Sequence, residues 1–152
     1  MIYLRSGFFY LGYITSGFLF GFLGCLVCPF LSLKLRIKFL SIWPRFSNWL
    51  LYKSCDIKVI VLGAEGIPDP PFVVVSNHQG QWETFYFQYL FFPLTTLLKK
   101  ELLFIPFWGW SLALLRPISI DRKNPKTALK KVLSEGEDRI NGGFSVLFFP
   151  EG

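Results

Sequence analysis

The sequence lacks the residues that several classes of protein require. It has three cysteines and one histidine in 152 residues, and Cys25 and Cys28 lie in a wholly apolar stretch, so neither a disulfide scaffold nor a zinc site is indicated. No metal-ligand cluster and no glycine-rich dinucleotide loop occur. Charged residues make up only 17% and hydrophobic residues 52%, which excludes a disordered chain. One compact domain with a membrane segment fits these limits.

Acidic residues are absent from the first fifty positions. Five basic residues give this segment a charge of +5, whereas eleven basic and ten acidic residues give the remaining chain +1. The basic residues flank an apolar run and do not follow a polar face, so they suit anionic lipid headgroups better than nucleic acid. The sequence therefore predicts membrane lipids as partners and no nucleic acid.

The apolar run covers residues 6–33 and contains no charge over 28 positions. As one helix it would measure about 42 Å, against about 30 Å for the hydrocarbon core of a bilayer. It can therefore span a membrane, although its glycines and Pro29 also allow a bent or re-entrant helix. Gly17 and Gly21 have the spacing of a helix-packing face, a spacing that also arises by chance in a glycine-rich run.

Basic residues after the run predict its orientation. One arginine precedes the run and Lys34, Arg36 and Lys38 follow it, which places the remaining chain in the cytoplasm. The next residues have the composition of an interfacial helix interrupted near Pro44, with a core helix as the alternative. We predict a membrane anchor with this helix over residues 1–52.

From about residue 57 the pattern changes to alternating strands and helices. Runs of β-branched and aromatic residues bounded by glycine and proline predict strands over residues 57–62, 72–75, 95–98, 118–120 and 144–149. Helices are predicted over residues 81–91, over 102–115 with interruptions at Pro106 and Gly109, and from Pro125 to the Gly142-Gly143 pair. This alternation is typical of an α/β domain, here residues 53–152, with a largely parallel sheet and flanking helices.

The only histidine, His78, follows strand 72–75, where catalytic groups commonly lie in α/β sheets. Histidine can accept a proton from a hydroxyl near neutral pH and return it to a leaving group. Five residues on one helix are about 140° apart, so Glu83 can orient His78 only if His78 lies in the turn before the helix. A surface histidine on a strand–helix loop is the alternative interpretation.

Two further segments follow predicted strands. Arg122 comes after strand 118–120 and can bind a phosphate through paired hydrogen bonds. The alternative is a solvated strand end in which Asp121 caps the next turn. Strand 144–149 runs into Pro150-Glu151-Gly152, which taken alone is an ordinary β-turn.

Three segments occur in order along the chain: Asn77-His78 followed after four intervening residues by Glu83, then Ile120-Asp121-Arg122, then Phe149-Pro150-Glu151-Gly152. Taken together, they resemble the glycerolipid acyltransferases. This is the family of the 1-acylglycerol-3-phosphate acyltransferases, and the resemblance runs from about residue 73 to residue 152. It implies transfer of a fatty acyl group from acyl-CoA or acyl carrier protein to the free hydroxyl of lysophosphatidic acid, which forms phosphatidic acid.

The same resemblance implies roles for individual residues. His78 would be the general base and Glu83 its partner, while Arg122, Glu151 and Gly152 would hold the phosphate of the lysophospholipid. No cofactor beyond the acyl carrier is implied. The predicted location is a membrane, the bacterial inner membrane, with the catalytic domain in the cytoplasm.

Two departures from the family pattern leave alternatives. Glu83 stands where the family usually has aspartate, and a histidine with a glutamate at this spacing also resembles the lipid A acyltransferases, although the two later motifs favour the glycerolipid branch. The family pattern continues beyond Gly152 with Thr-Arg and further elements, so we expect a truncated form. A non-catalytic, lipid-binding membrane protein is therefore the competing function.

Acyl chains also require an apolar approach to the site. Aromatic residues that could line it, or alternatively form a core, are Phe85, Phe87, Phe104, Phe107, Trp108 and Trp110.

Overall fold

The structure is a computed structural model that describes residues 2–121 and 123–150. The helices in these ranges are α1 (Ile2–Val27), α2 (Leu33–Leu40), α3 (Ile42–Cys55), α4 (Gln81–Leu90), α5 (Trp108–Ala113) and α6 (Pro125–Asn141). The strands are β1 (Val73–Val75), β2 (Leu94–Lys99), β3 (Ile118–Ile120) and β4 (Ser145–Phe148). Short 3-10 helices cover Cys28–Phe30, Ala64–Gly66 and Lys100–Phe104.

The four strands form one parallel sheet in the order β1-β4-β2-β3. The chain moves outward from β1 through β2 to β3 and then returns to place β4 between β1 and β2. Because parallel crossovers are right-handed, connections that run in opposite directions lie on opposite faces of the sheet. The helices between β1 and β3 therefore cover one face and α6 covers the other. The predicted α/β class with a parallel sheet is confirmed.

Helix α1 is continuous over 26 residues, about 39 Å, and ends in the 3-10 helix that contains Pro29. Together with that 3-10 helix, it is long and apolar enough to cross a membrane. Its glycines allow other helices to approach closely. A Cβ atom on Gly17 would lie 3.1 Å from the Trp43 side chain, and one on Gly21 would lie 2.9 Å from the Trp108 backbone. The Gly17 and Gly21 spacing is thus a packing face for α3 and α5.

Helices α2 and α3 meet at Ser41, so the break lies before Pro44 and not at it. Pro44 lies in the first turn of α3, where a backbone N–H has no helical partner and its absence costs nothing. Trp43 and Leu50 are buried, whereas Trp49 is 53% exposed. One side of α3 is therefore a core side, and the interfacial role predicted for this helix can apply only to its other side.

The strand predicted over residues 57–62 is wrong. Within the described part of the chain, residues 57–61 take no part in a sheet. They lie along α3 instead, where Lys58 Nζ is 5.4 Å from the centroid of the Tyr52 ring. β-Branched residues favour extended backbone, but a strand also requires a neighbour to pair with.

The interruption predicted at Gly109 is also wrong, whereas the one at Pro106 is confirmed. Gly109 lies inside α5, which begins at Trp108. A Cβ atom on Gly109 would overlap the carbonyl oxygen of Leu102, so glycine is needed there for close approach of two backbone segments. The four other predicted strands and the helices at residues 81–91 and from Pro125 are confirmed within one or two residues at each end.

We predict that Gly21→Ala destabilises the protein by about 1–3 kcal/mol, because the new methyl group has to displace the backbone of α5. Gly7→Ala is the matched control on the same helix, since nothing lies within 4 Å of its Cβ position. That change should be neutral or stabilising by up to about 1 kcal/mol. Thermal unfolding in detergent measures both, and equal effects of the two variants would contradict close packing at Gly21.

Candidate active site

His78 lies in the turn between β1 and α4, at the carboxyl edge of the sheet. The turn begins where the Ser76 N–H donates a hydrogen bond to the Phe148 carbonyl oxygen at 3.4 Å, which extends the pairing of β1 with β4. His78 Nδ1 is 3.1 Å from Glu83 Oε2. The structure thus brings together the two residues that the sequence paired, through the turn that their spacing requires.

The Glu83 carboxylate also closes the N-terminal end of α4. It accepts hydrogen bonds from the backbone N–H groups of Gln79, at 3.0 Å, and of Gly80, at 3.1 Å. Gly80 precedes the helix and has no side chain to cap it, and Glu83 in the first turn reaches back to the N–H groups of the two residues before the helix. The positive end of the helix dipole further favours a carboxylate at this position.

The hydrogen bond between His78 and Glu83 indicates which ring nitrogen of a neutral imidazole carries the proton. An ionised carboxylate only accepts hydrogen bonds, so Nδ1 of neutral His78 carries the proton and donates the hydrogen bond to Glu83. The lone pair of the ring then lies on Nε2, the atom that can act as a base. The His78 side chain is 36% exposed and that of Glu83 is 23% exposed, so the histidine is the more solvent-accessible member of the pair.

The ring of Phe149 stacks on His78, a contact that the sequence interpretation missed. The two ring centroids are 4.2 Å apart and the planes differ by 30°. The signal available in the sequence was the position of Phe149 at the end of a predicted strand, but recognising the contact required knowing that β4 is the neighbour of β1.

An apolar cavity of about 460 Å³ opens beside His78. Residues from α1, α3, α4, β2 and α5 line it, among them Ile14, Phe18, Trp43 and Leu98. Of the six aromatic residues predicted to line an apolar approach, Phe85 and Trp108 do so. The remaining four are not part of this wall: Phe87, Phe104, Phe107 and Trp110. The cavity is large and apolar enough for a ligand with a hydrocarbon chain.

Arg122, Glu151 and Gly152 lie outside the described residues, so their roles stay predictions. Their neighbours are described. Asp121 Oδ1 accepts a hydrogen bond from the Lys123 N–H at 2.9 Å, which is the turn-capping role anticipated for Asp121. Among residues 2–121 and 123–150, no cluster of histidine, cysteine and acidic side chains has a composition that could hold a metal ion.

The fold and the paired histidine and carboxylate are compatible with several classes of enzyme, and comparison with known proteins identifies the family. Residues 58–152 match the family described as Acyltransferase. The chain therefore belongs to the acyltransferase family. No solved structure matches the chain significantly.

The chain is also similar to named proteins from several organisms. A 1-acyl-sn-glycerol-3-phosphate acyltransferase of Pseudomonas aeruginosa is 44% identical over 150 residues, which cover 98% of this chain and 58% of the relative. One of Saccharomyces cerevisiae is 27% identical over 154 residues, with 100% and 50% covered. One of Chlamydomonas reinhardtii is 36% identical over 114 residues, with 74% and 32% covered. The chain thus spans at most about three fifths of the length of these relatives.

We predict that Glu83→Gln lowers kcat by about 10²-fold, because the imidazole loses its charged partner and its fixed orientation. The same change should cost about 1 kcal/mol of stability, since the first turn of α4 loses a charged acceptor. Glu83→Asp should retain part of the activity because it keeps the charge.

Glu135→Gln provides the control for Glu83. It removes a carboxylate that is 3.7 Å from Lys131 Nζ on α6, and it should change stability by less than about 0.5 kcal/mol. Steady-state kinetics and thermal unfolding measure these effects. An unchanged kcat in Glu83→Gln would show that the pair has no part in turnover.

Proposed function

We propose that the chain carries the reaction site of a 1-acyl-sn-glycerol-3-phosphate acyltransferase. The reaction moves a fatty acyl group from acyl-CoA or acyl carrier protein to the free hydroxyl of lysophosphatidic acid and forms phosphatidic acid. Membership of the acyltransferase family and the names of the relatives support this assignment. The observation that carries it is the His78–Glu83 pair beside an apolar cavity.

The pair suits attack of a hydroxyl on a thioester. The hydroxyl oxygen forms a bond to the carbonyl carbon while its proton passes to Nε2 of His78. Glu83, bonded to Nδ1, stabilises the positive charge that then forms on the ring. When the carbon–sulfur bond breaks, the imidazolium returns the proton to the thiolate that leaves. A thioester is already activated, so positioning and one base are the main requirements.

The two ends of the acceptor require different surroundings. Its acyl chain is apolar and suits the cavity lined by α1, α3 and α5. Its phosphate is a dianionic group that an arginine such as Arg122 can bind through two hydrogen bonds, and Glu151 and Gly152 are the other residues predicted to hold it. This assignment of the phosphate rests on the motif resemblance.

Helix α1 connects the site to a lipid phase. Most of its large apolar residues are exposed, Tyr3 at 90% and Phe8 at 65%. An exposed helix with this composition suits a bilayer better than water. We place the protein in a membrane through residues 1–52, with the bacterial inner membrane and a cytoplasmic site as the expected arrangement.

The function is tested by His78→Ala in the full-length protein in lipid vesicles. Loss of a general base typically lowers the rate by ~10² to 10⁴, whereas association with vesicles should not change because His78 lies outside α1. The measurement is transfer of a radiolabelled acyl group to lysophosphatidic acid, with flotation of the vesicles as the binding assay.

Three outcomes of this experiment count against the proposal. Near-normal transfer by His78→Ala would remove the base from the mechanism. Vesicle binding without any transfer by the wild-type protein would favour the non-catalytic function. Transfer to a lipid A precursor in place of lysophosphatidic acid would favour the other acyltransferase branch.

The cavity makes a separate prediction about chain length. Ile14→Trp, on α1, adds volume to the cavity wall and should lower kcat/KM for long-chain acyl substrates more than for short-chain ones. Leu11→Trp is the matched control, because Leu11 lies one turn earlier on the same helix, is 65% exposed and does not line the cavity. Competition between long-chain and short-chain substrates measures the ratio. Equal ratios for the two variants would mean that the acyl chain lies elsewhere.

A further inference from the structure

The inference concerns the ring of Phe149, which covers one face of His78. β4 pairs with β1 in a register that sets Phe148 opposite Val75, and Ser76 extends that pairing by one hydrogen bond. Phe149 therefore leaves the sheet next to the turn that holds His78. The stacked contact at 4.2 Å follows from the backbone register of two neighbouring parallel strands.

The hydrogen bond to Glu83 acts on Nδ1, in the plane of the imidazole, and restrains the position of that atom. Rotation of the ring about its Cβ–Cγ bond is a different motion. Stacking on a flat aromatic ring restrains this rotation, because the two planes must stay nearly parallel to keep their contact. Glu83 and Phe149 thus restrain two different motions of the same side chain.

The aromatic ring also suits the charge that appears during the reaction. The face of a phenyl ring is the negative end of its quadrupole and attracts cations. When Nε2 takes the proton of the hydroxyl, the imidazole becomes a cation with Phe149 against its face and Glu83 at its edge.

We propose that Phe149 is a positioning residue for acyl transfer, which holds the plane of the His78 ring so that Nε2 faces the reacting hydroxyl. This inference rests on the proposed function. It gives Phe149, the first residue of the Phe-Pro-Glu-Gly segment, a role in orienting the base. That role is separate from the phosphate binding predicted for Glu151 and Gly152.

The kinetic test compares Phe149→Leu with Phe149→Tyr. Leucine keeps an apolar side chain of similar volume but cannot stack, so kcat should fall by ~10-fold or more while KM for both substrates changes by less than about 2-fold. Tyrosine keeps the ring and should restore kcat. Phe148→Leu is the matched control, because it makes the same change one position earlier in β4, and successive side chains of a strand point to opposite faces of the sheet.

A spectroscopic test does not depend on turnover. His78 is the only histidine, so histidine-selective isotope labelling gives the NMR signals of one imidazole in detergent micelles. The ring current of Phe149 should shift the His78 ring protons upfield in the wild type and in Phe149→Tyr. This shift should disappear in Phe149→Leu and remain in Phe148→Leu.

The outcomes separate this inference from the function on which it rests. The positioning role alone is overturned if the wild-type protein is active and Phe149→Leu keeps its kcat. It is also overturned if Phe149→Leu loses no more kcat than Phe148→Leu does. An effect on KM alone also overturns it, because a misplaced base affects the chemical step. A wild-type protein without acyl transfer overturns both. Loss of the upfield shift together with loss of kcat in Phe149→Leu, and recovery of both in Phe149→Tyr, supports the inference.

Discussion

Three N–H groups converge on the carboxylate of Glu83: those of the Gln79 and Gly80 backbone and that of His78 Nδ1. In this arrangement one side chain meets two requirements that different residues usually meet. A helix needs acceptors for its first N–H groups, and a catalytic histidine needs an anion at the nitrogen that is not reacting. Because one side chain meets both, the turn that carries His78 and the helix that follows it are fixed in the same geometry.

The parallel sheet decides which segments can cooperate with this turn. β1 and β4 are neighbours, so the residues that follow them, His78 and Phe149, come into contact. β3 lies three strand positions from β1, about 14 Å at the usual spacing. A lysophospholipid whose phosphate is bound beyond the end of β3 and whose hydroxyl lies at His78 would therefore have to bridge the ends of β4 and β2.

The sequence predicted the regular elements well, because their signals are local. Strand 118–120 and the start of the helix at Pro125 depend on neighbouring residues, and both agree with the structure. The strand at residues 57–62 failed because strand formation depends on a partner that composition does not show. The packing of Gly21 against Trp108 and the wall of the cavity depend on contacts between residues that are distant in sequence. For the same reason the sequence could pair His78 with Glu83 but not with Phe149.

The N-terminal helix is more than an attachment to lipid. Ile14 and Phe18 form part of the cavity wall that His78 faces, although they belong to the predicted anchor and His78 to the predicted catalytic domain. Arginines tie this helix and the next one to the fold: Arg5 on α1 donates to the Ser54 carbonyl oxygen at 2.7 Å, and Arg36 on α2 donates to that of Leu114 at 3.2 Å.

These two arginines therefore have a structural use besides any preference for one side of a membrane. A helix held near its N-terminal end by Arg5 and packed through its glycines cannot move independently of the site. If α1 lies in a bilayer, the depth of the cavity relative to the lipid is consequently set by the fold. An acyl chain could then pass from the lipid phase to the cavity along the exposed apolar side of α1 without crossing water, which is the arrangement that a substrate with one hydrocarbon chain and one charged headgroup requires.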